Sequence, residues 1–280
     1  LTNGEAEMVS ERIGLSPEIN TNLFALQKTT DQLNAVTERL ATGLKVPDAT
    51  VDAAAFFQSQ TLSSRAAQLQ TVKDGIDTAI STTDAALEGI TGIQALVEQL
   101  RGLAFSTLSD TNTTNRSKAA VQFNDLRAQI DNMANDATFN STNLIKGSPG
   151  NLTVTFSEDG SSTFTIAGIK SDASGLSITT AAGNWATDAN INAAVNDLDS
   201  ALNTLRSSAT TIGTSASFLT TRLDFTTNLI NTLEEGAGKL VNADLNEESA
   251  NLLILQTRQQ LGTIGLSIAA SSEQAVFTLF

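Results

Sequence analysis

Residues 191–233 read INAAVNDLDSALNTLRSSATTIGTSASFLTTRLDFTTNLINTL. Alternating steps of four and three from Ile191 land on Ile191, Val195, Leu198, Leu202, Leu205, Ala209, Ile212, Ala216, Leu219, Leu223, Thr226, Ile230 and Leu233. Thr226 alone interrupts this apolar series. A 3.5-residue repeat held over about six heptads predicts a long helix that supercoils along partner helices. At roughly 1.5 Å per residue, about 40 helical residues span about 60 Å, which favours an elongated rod.

A partner stripe lies upstream. Every seventh residue from Leu62 gives Leu62, Leu69, Ile76, Thr83, Ile90, Val97 and Ala104, flanked by Val72, Ile80, Leu87 and Leu100. If the two helices pack together, the residues between them form a hairpin-like insert and the two termini emerge side by side. Two ordinary bundle helices would show the same periodicity.

Composition narrows the functions. Apolar residues make up 40% of the 280, yet aromatics only 5%, with no Tyr, which suits helix seams better than a large globular interior. No run of about 18 apolar residues predicts a membrane span. A net charge of −14 and the lack of a basic stripe argue against nucleic acid. Without Cys or His, disulfides, thiol nucleophiles, Cys/His zinc sites and Ser-His-Asp triads are all excluded.

In chain order, residues 1–17 read as a flexible extension without the basic start and apolar core of a secretory signal. Ser16-Pro17-Glu18 predicts a helix start. Steps of four and three follow at Ile19, Leu23, Leu26, Thr30, Leu33, Thr37, Leu40 and Leu44, and Gly43 and Pro47 end that helix. A second helix is predicted over 53–109 and a third through Phe123, Leu126 and Ile130 to about 135. The period then falls to two: Leu152, Val154 and Phe156, a turn at 158–161, and Phe164 and Ile166 predict a β-hairpin, with a third short strand at 176–180. Helix resumes near Asp188, with Trp185 as a packing anchor at the join, and ends near Gly236 and Gly238. Asp244-x-x-Glu247 then caps a final helix carrying Leu253, Leu261, Ile264, Ile268, Val276 and Leu279. Val276, Phe277, Leu279 and Phe280 are expected to bury against another surface.

Both ends carry a resemblance. INTN at 19–22, TERLATGLKV at 37–46, DGIDTAISTTDAALEGI at 74–90, LRGLA at 100–104 and TFN at 138–140 resemble the N-terminal half of bacterial flagellins. The last 41 residues, LVNADLNEESANLLILQTRQQLGTIGLSIAASSEQAVFTLF at 240–280, are similar to their C-terminal segment. The short middle is similar to compact alphaproteobacterial members. The resemblance implies a mainly α fold, an elongated antiparallel coiled-coil or helical-bundle rod with a small β-hairpin insert. It implies that 18–45 and 247–280 pair as the inner D0 coiled coil, with 46–56 and 237–246 as spokes. Residues 57–147 and 184–236 would form the D1 rod, and 148–183 a small outward-facing insert. One departure is that INTN, close to the mature N-terminus in the family, follows 18 residues here.

The implied function is that of the structural subunit of the flagellar filament, secreted and extracellular. Implied partners are further copies of the chain, hook-associated junction and cap proteins, the flagellar export apparatus, and a flagellin chaperone at the C-terminal helix. Neither nucleic acid nor membrane insertion is implied. The stripe residues Ile19, Leu23, Leu26, Leu33, Leu40, Leu253, Leu261, Ile264, Ile268, Val276 and Leu279 would then serve self-assembly. The segment by which an animal innate receptor detects flagellins often resembles LQRVRELA. Its equivalent here is 97–104, with Gln99 in the place of the key arginine and Leu103 keeping the apolar contact.

Alternative readings are a hook-filament junction protein, or a cell-surface polysaccharide receptor using Phe156, Phe164 and Trp185. No cofactor and no catalytic residue is assigned. Glu234-Glu235 and Glu247-Glu248 sit at helix ends, where solvated capping is expected, and a chain without His cannot hold the HExxH metalloprotease motif of some flagellins.

Overall fold

The computed structural model describes residues 17–277. Five long α-helices carry the described chain: α1 (Pro17–Thr42), α2 (Ala53–Leu108), α3 (Thr113–Asp136), α4 (Asp188–Val241) and α5 (Leu245–Phe277). Strands β1 (Leu152–Thr155) and β2 (Thr163–Ile166) and a short 3-10 helix, Ala182–Trp185, lie between α3 and α4. The described residues divide into two units, 17–63 with 235–277, and 64–234.

The larger unit is built on the two long stripes. On α4, Ile191, Leu198, Leu205, Ile212 and Leu219 are fully buried; on α2, Ile76, Ile90, Val97, Leu100 and Ala104 are too. Thr226 and Thr83, the polar interruptions, are buried with them, and Thr83 Oγ1 donates to the Ile80 carbonyl at 2.7 Å. A threonine can stand in a helix seam because its hydroxyl returns to the preceding turn. Helix α3 adds Ala120, Phe123 and Ile130 to the same core. Its start is capped by Asn112, whose side chain accepts from Thr114 N at 2.9 Å. Its end is closed by Asn143, which donates to the Ala134 and Asn135 carbonyls.

Residues 148–183 do not stand apart from the helices. Val154, Phe156, Ile166, Ala173, Leu176 and Ile178 are buried in the core shared by α2, α3 and α4. The hairpin is antiparallel, with Val154 opposite Phe164, so alternate side chains reach the helices as a period of two requires. The strand expected at 176–180 does not form. Leu176 N and Ile178 N donate instead to the Asp172 and Ala173 carbonyls, and Ser177 turns the chain at φ +57°. Helix side chains take the remaining backbone groups: Arg127 Nε donates to the Ile178 carbonyl at 2.7 Å, and Asp131 accepts from Ala173 N at 2.8 Å. With these groups satisfied by local turns and by helix side chains, the segment needs no neighbouring strand.

Trp185 is fully buried with its ring centroid 4.9 Å from that of Phe123, a packing anchor. Helix α4 does not stop at Gly236 and Gly238 but runs to Val241. Each glycine costs roughly 1 kcal/mol in a helix, and burial of Leu233 and Ala237 on either side of Gly236 offsets this.

In the smaller unit, α1 ends at Gly43 (φ +73°), whose N–H donates to the Arg39 carbonyl at 2.8 Å. The two connecting strands of chain then pair briefly. Lys45 N donates to the Val241 carbonyl at 2.8 Å, and Ala243 N to the Gly43 carbonyl at 2.9 Å. Asp244 opens α5, accepting from Asn246 N at 2.9 Å and Glu247 N at 3.3 Å.

Candidate assembly surface

Helices α1 and α5 pack antiparallel, joined in turn at Leu26 with Gly262, Thr30 with Gln259, and Arg39 with Glu248. Their side chains separate into an inner seam and an outer face. From α1, Ile19 and Val36 are buried, and Leu23, Leu26, Leu33 and Leu40 half-buried. Val36 takes the place the four-three stepping gave to Thr37, which is exposed.

On α5 the seam includes Leu255, Gln259 and Gly262, none of them in the expected stripe. A Cβ at Gly262 would sit 2.9 Å from Leu26 Cδ1, so the helices approach where α5 is bare. The larger side chains are left on the other side: Leu253 is 66% exposed, Leu261 63%, Ile264 56% and Ile268 63%. These four cannot belong to the seam and form an uncovered apolar face. Val276 lies on the α5 backbone, but its side chain, like Phe277's, and the whole of Leu279 and Phe280 fall outside the described residues, as does the extension 1–16.

The charged groups also depart from expectation. Glu247 is exposed at the helix start, but Glu248 is buried and ion-paired, its Oε1 3.1 Å from Arg39 Nη1. Glu235 is exposed and bonds Lys239 Nζ at 2.6 Å; that hydrogen bond and the cation's charge lower its pKa. Among the described residues Glu248 is the one carboxylate removed from solvent, a position its place in a capping turn concealed. Among the described residues no cluster of three or more carboxylates is placed to hold a metal ion.

In the larger unit Gln99 is exposed on α2, whereas Leu103 is half-buried against the core. The aromatic platform imagined for a sugar does not exist. Trp185 is fully buried, and Phe156 is buried against Phe218, centroids 5.7 Å apart, under the Arg222 guanidinium.

Comparison with known proteins gives the arrangement a context. The family model described as the bacterial flagellin N-terminal helical region matches residues 18–149, and that described as the bacterial flagellin C-terminal helical region matches 195–280. The chain is 36% identical to flagellin FljO of Caulobacter vibrioides, over 94% of this chain and 98% of that protein. It is 28% identical to a flagellin of Brucella melitensis, over 93% of this chain and 95% of that one. A solved Bacillus cereus flagellin aligns with 54% of this chain and 88% of its own at 19% identity, with a TM-score of 0.48.

Proposed function

This chain belongs to the bacterial flagellin family and is a structural subunit of the flagellar filament, and from that premise we propose that the α1–α5 pair is its polymerising segment. The supporting observation is the exposure of Leu253, Leu261, Ile264 and Ile268 on a helix whose other side is already engaged with α1. Water is a poor environment for four such side chains in one helix face. At roughly 25 cal/mol per Å2, several hundred Å2 of apolar surface covered per contact contributes on the order of 10 kcal/mol before entropic costs. Head-to-tail repetition of such a contact without closure produces a filament.

In this reading 18–45 with 247–280 form D0, 46–56 and 237–246 the spokes, and 57–147 with 184–236 the D1 body, into whose core 148–183 folds. The chain is exported by the flagellar secretion apparatus, and a chaperone covers the apolar face of α5 until assembly. Junction and cap proteins meet the same terminal helices at the two ends of the filament. Within D1, exposed Gln99 and half-buried Leu103 make 97–104 a poor ligand for the animal flagellin receptor.

Deleting residues 254–280 tests the assignment, since it removes three of the four exposed residues and most of α5. The expected outcome is a soluble chain that sediments as monomer under conditions where the full chain polymerises. Filaments of normal length from the truncated chain would refute the role of α5.

A further inference from the structure

The face of α1 turned away from α5 carries Phe24, 71% exposed, and one turn later the exposed Lys28, which has no ion-pair partner among the described residues. Further along the same helix pair lies a groove of about 410 Å3, lined by Gln32, Val36, Arg39, Glu248, Ile254 and Arg258. It is apolar at the buried Val36 and at the exposed Ile254. At its head the buried Glu248 carboxylate spends one oxygen on Arg39, while Oε2 is buried and has no hydrogen-bond partner among the described residues. A buried carboxylate oxygen without a donor is costly to leave that way, and a cation arriving beside an apolar group would satisfy it.

We propose that Phe24 and Lys28 of one copy dock into this groove of a second copy, Phe24 on Val36 and Ile254, Lys28 on Glu248 Oε2. The proposal rests on the reading of the α1–α5 pair as the polymerising segment and names the contact it makes. The register of the pair supports it. The contacts of Leu26 with Gly262, Thr30 with Gln259 and Arg39 with Glu248 place Glu248 level with Leu40 of α1. A parallel copy shifted by twelve residues, about 18 Å at 1.5 Å per residue, brings Phe24 level with Val36 and Lys28 level with Glu248 together. Two cations share the groove with Glu248: Arg39, already engaged on Oε1, which leaves Oε2 for the ammonium, and Arg258, ten residues further along α5, about 15 Å by helix rise. Knob and groove are different surfaces of one chain in parallel register, so each docking leaves a free knob and a free groove, and the contact propagates.

Two measurements on the full chain test this. Lys28→Glu should raise the critical concentration for polymerisation at least about tenfold, and Lys28→Arg should stay near wild type, because a desolvated charge pair is lost in one and kept in the other. Wild-type polymerisation by Lys28→Glu would overturn the proposal. Where Lys28→Glu fails for want of folding, p-benzoylphenylalanine at position 24 decides. Irradiated filaments should yield inter-chain adducts on peptides containing Val36 or Ile254, and adducts confined to other segments would overturn the docking. Failure of the unmodified chain to polymerise would instead count against the polymerising role of α1–α5 itself.

Discussion

Arg39 Nη1 lies 3.1 Å from Glu248 Oε1, so an ion pair joins residues 209 positions apart in the chain and locks the register of α1 against α5. Glu248 is nearly withdrawn from water, whereas Arg39 keeps 39% of its side-chain surface. Removing one partner therefore hurts more than a surface pair would suggest, and less than a fully buried one. Glu248→Ala is expected to weaken the filament by about 1–3 kcal/mol, a rise in critical concentration of roughly five- to 150-fold. Glu248→Gln, which can still accept from Arg39, should lose less. Pelleting assays across a concentration series measure both.

The exposed face of α5 gives a second expectation. Ile268→Asp alters neither the seam nor a cap, since Ile268 is 63% exposed, so the secondary structure of the monomer should not change. Polymerisation should be suppressed, because burying the new carboxylate at a subunit contact requires desolvating it. Circular dichroism and sedimentation of the same sample separate the two effects, and normal filaments would remove Ile268 from the contact.

How far the sequence discloses these features depends on how many faces a helix offers. On α4 one azimuth is apolar, and every stepped residue from Ile191 to Leu233 is buried or half-buried. On α5 the run Leu252-Leu253-Ile254-Leu255 places an apolar residue at every azimuth, and periodicity cannot choose among them. The choice is made by Gly262, where Leu26 approaches, and a glycine carries no signal of what lies opposite. The missing strand at 176–180 has a related cause, since alternation shows which side chains are buried but not whether Asp131 and Arg127 of a helix will serve the backbone.

The β-hairpin follows as a third test. Phe156 is buried, stacked beside Phe164 and edge-on to Phe218. Phe156→Ala should cost about 3–5 kcal/mol of stability in the 64–234 unit. Replacement of 150–181 by a Gly/Ser linker, which an outward-facing insert would tolerate, should destabilise it further by exposing the core. Guanidinium denaturation of the full chain followed through Trp185 fluorescence reports on that core. An unchanged midpoint for Phe156→Ala would show the hairpin to be dispensable.

Acid should act on the hairpin turn in a defined window. The Ser157 hydroxyl, the Ser161 N–H and the Ser161 hydroxyl all donate to Asp159, holding its pKa down to about 2 from 3.8. A carboxyl depressed on folding contributes stability that is fully present above its unfolded value and lost as pH falls through the folded one. The turn should stay ordered from neutral pH to about 4 and loosen toward about 2. Amide exchange at Ser161 follows it, and in Asp159→Ala the dependence should vanish.

Detection by the animal flagellin receptor supplies the last expectation. Gln99 presents an amide where the receptor-binding segment of many flagellins presents a guanidinium, and Gly102 stands in the place of a glutamate. Glutamine lacks both the charge and the rigid donor fork, so a contact commonly worth about 2 kcal/mol or more at an interface hot spot is missing. Leu103 is also partly withdrawn, since it packs against the core formed with α3 and α4. Gln99 and Gly102 are both exposed on α2, and a Cβ at Gly102 meets nothing within 4 Å, so both positions accept substitution without disturbing the core. Purified monomer should activate receptor-bearing reporter cells weakly or not at all, and Gln99→Arg with Gly102→Glu should raise the response. Strong activation by the unmodified chain, at the potency of an enterobacterial flagellin, would show that recognition does not depend on this arginine.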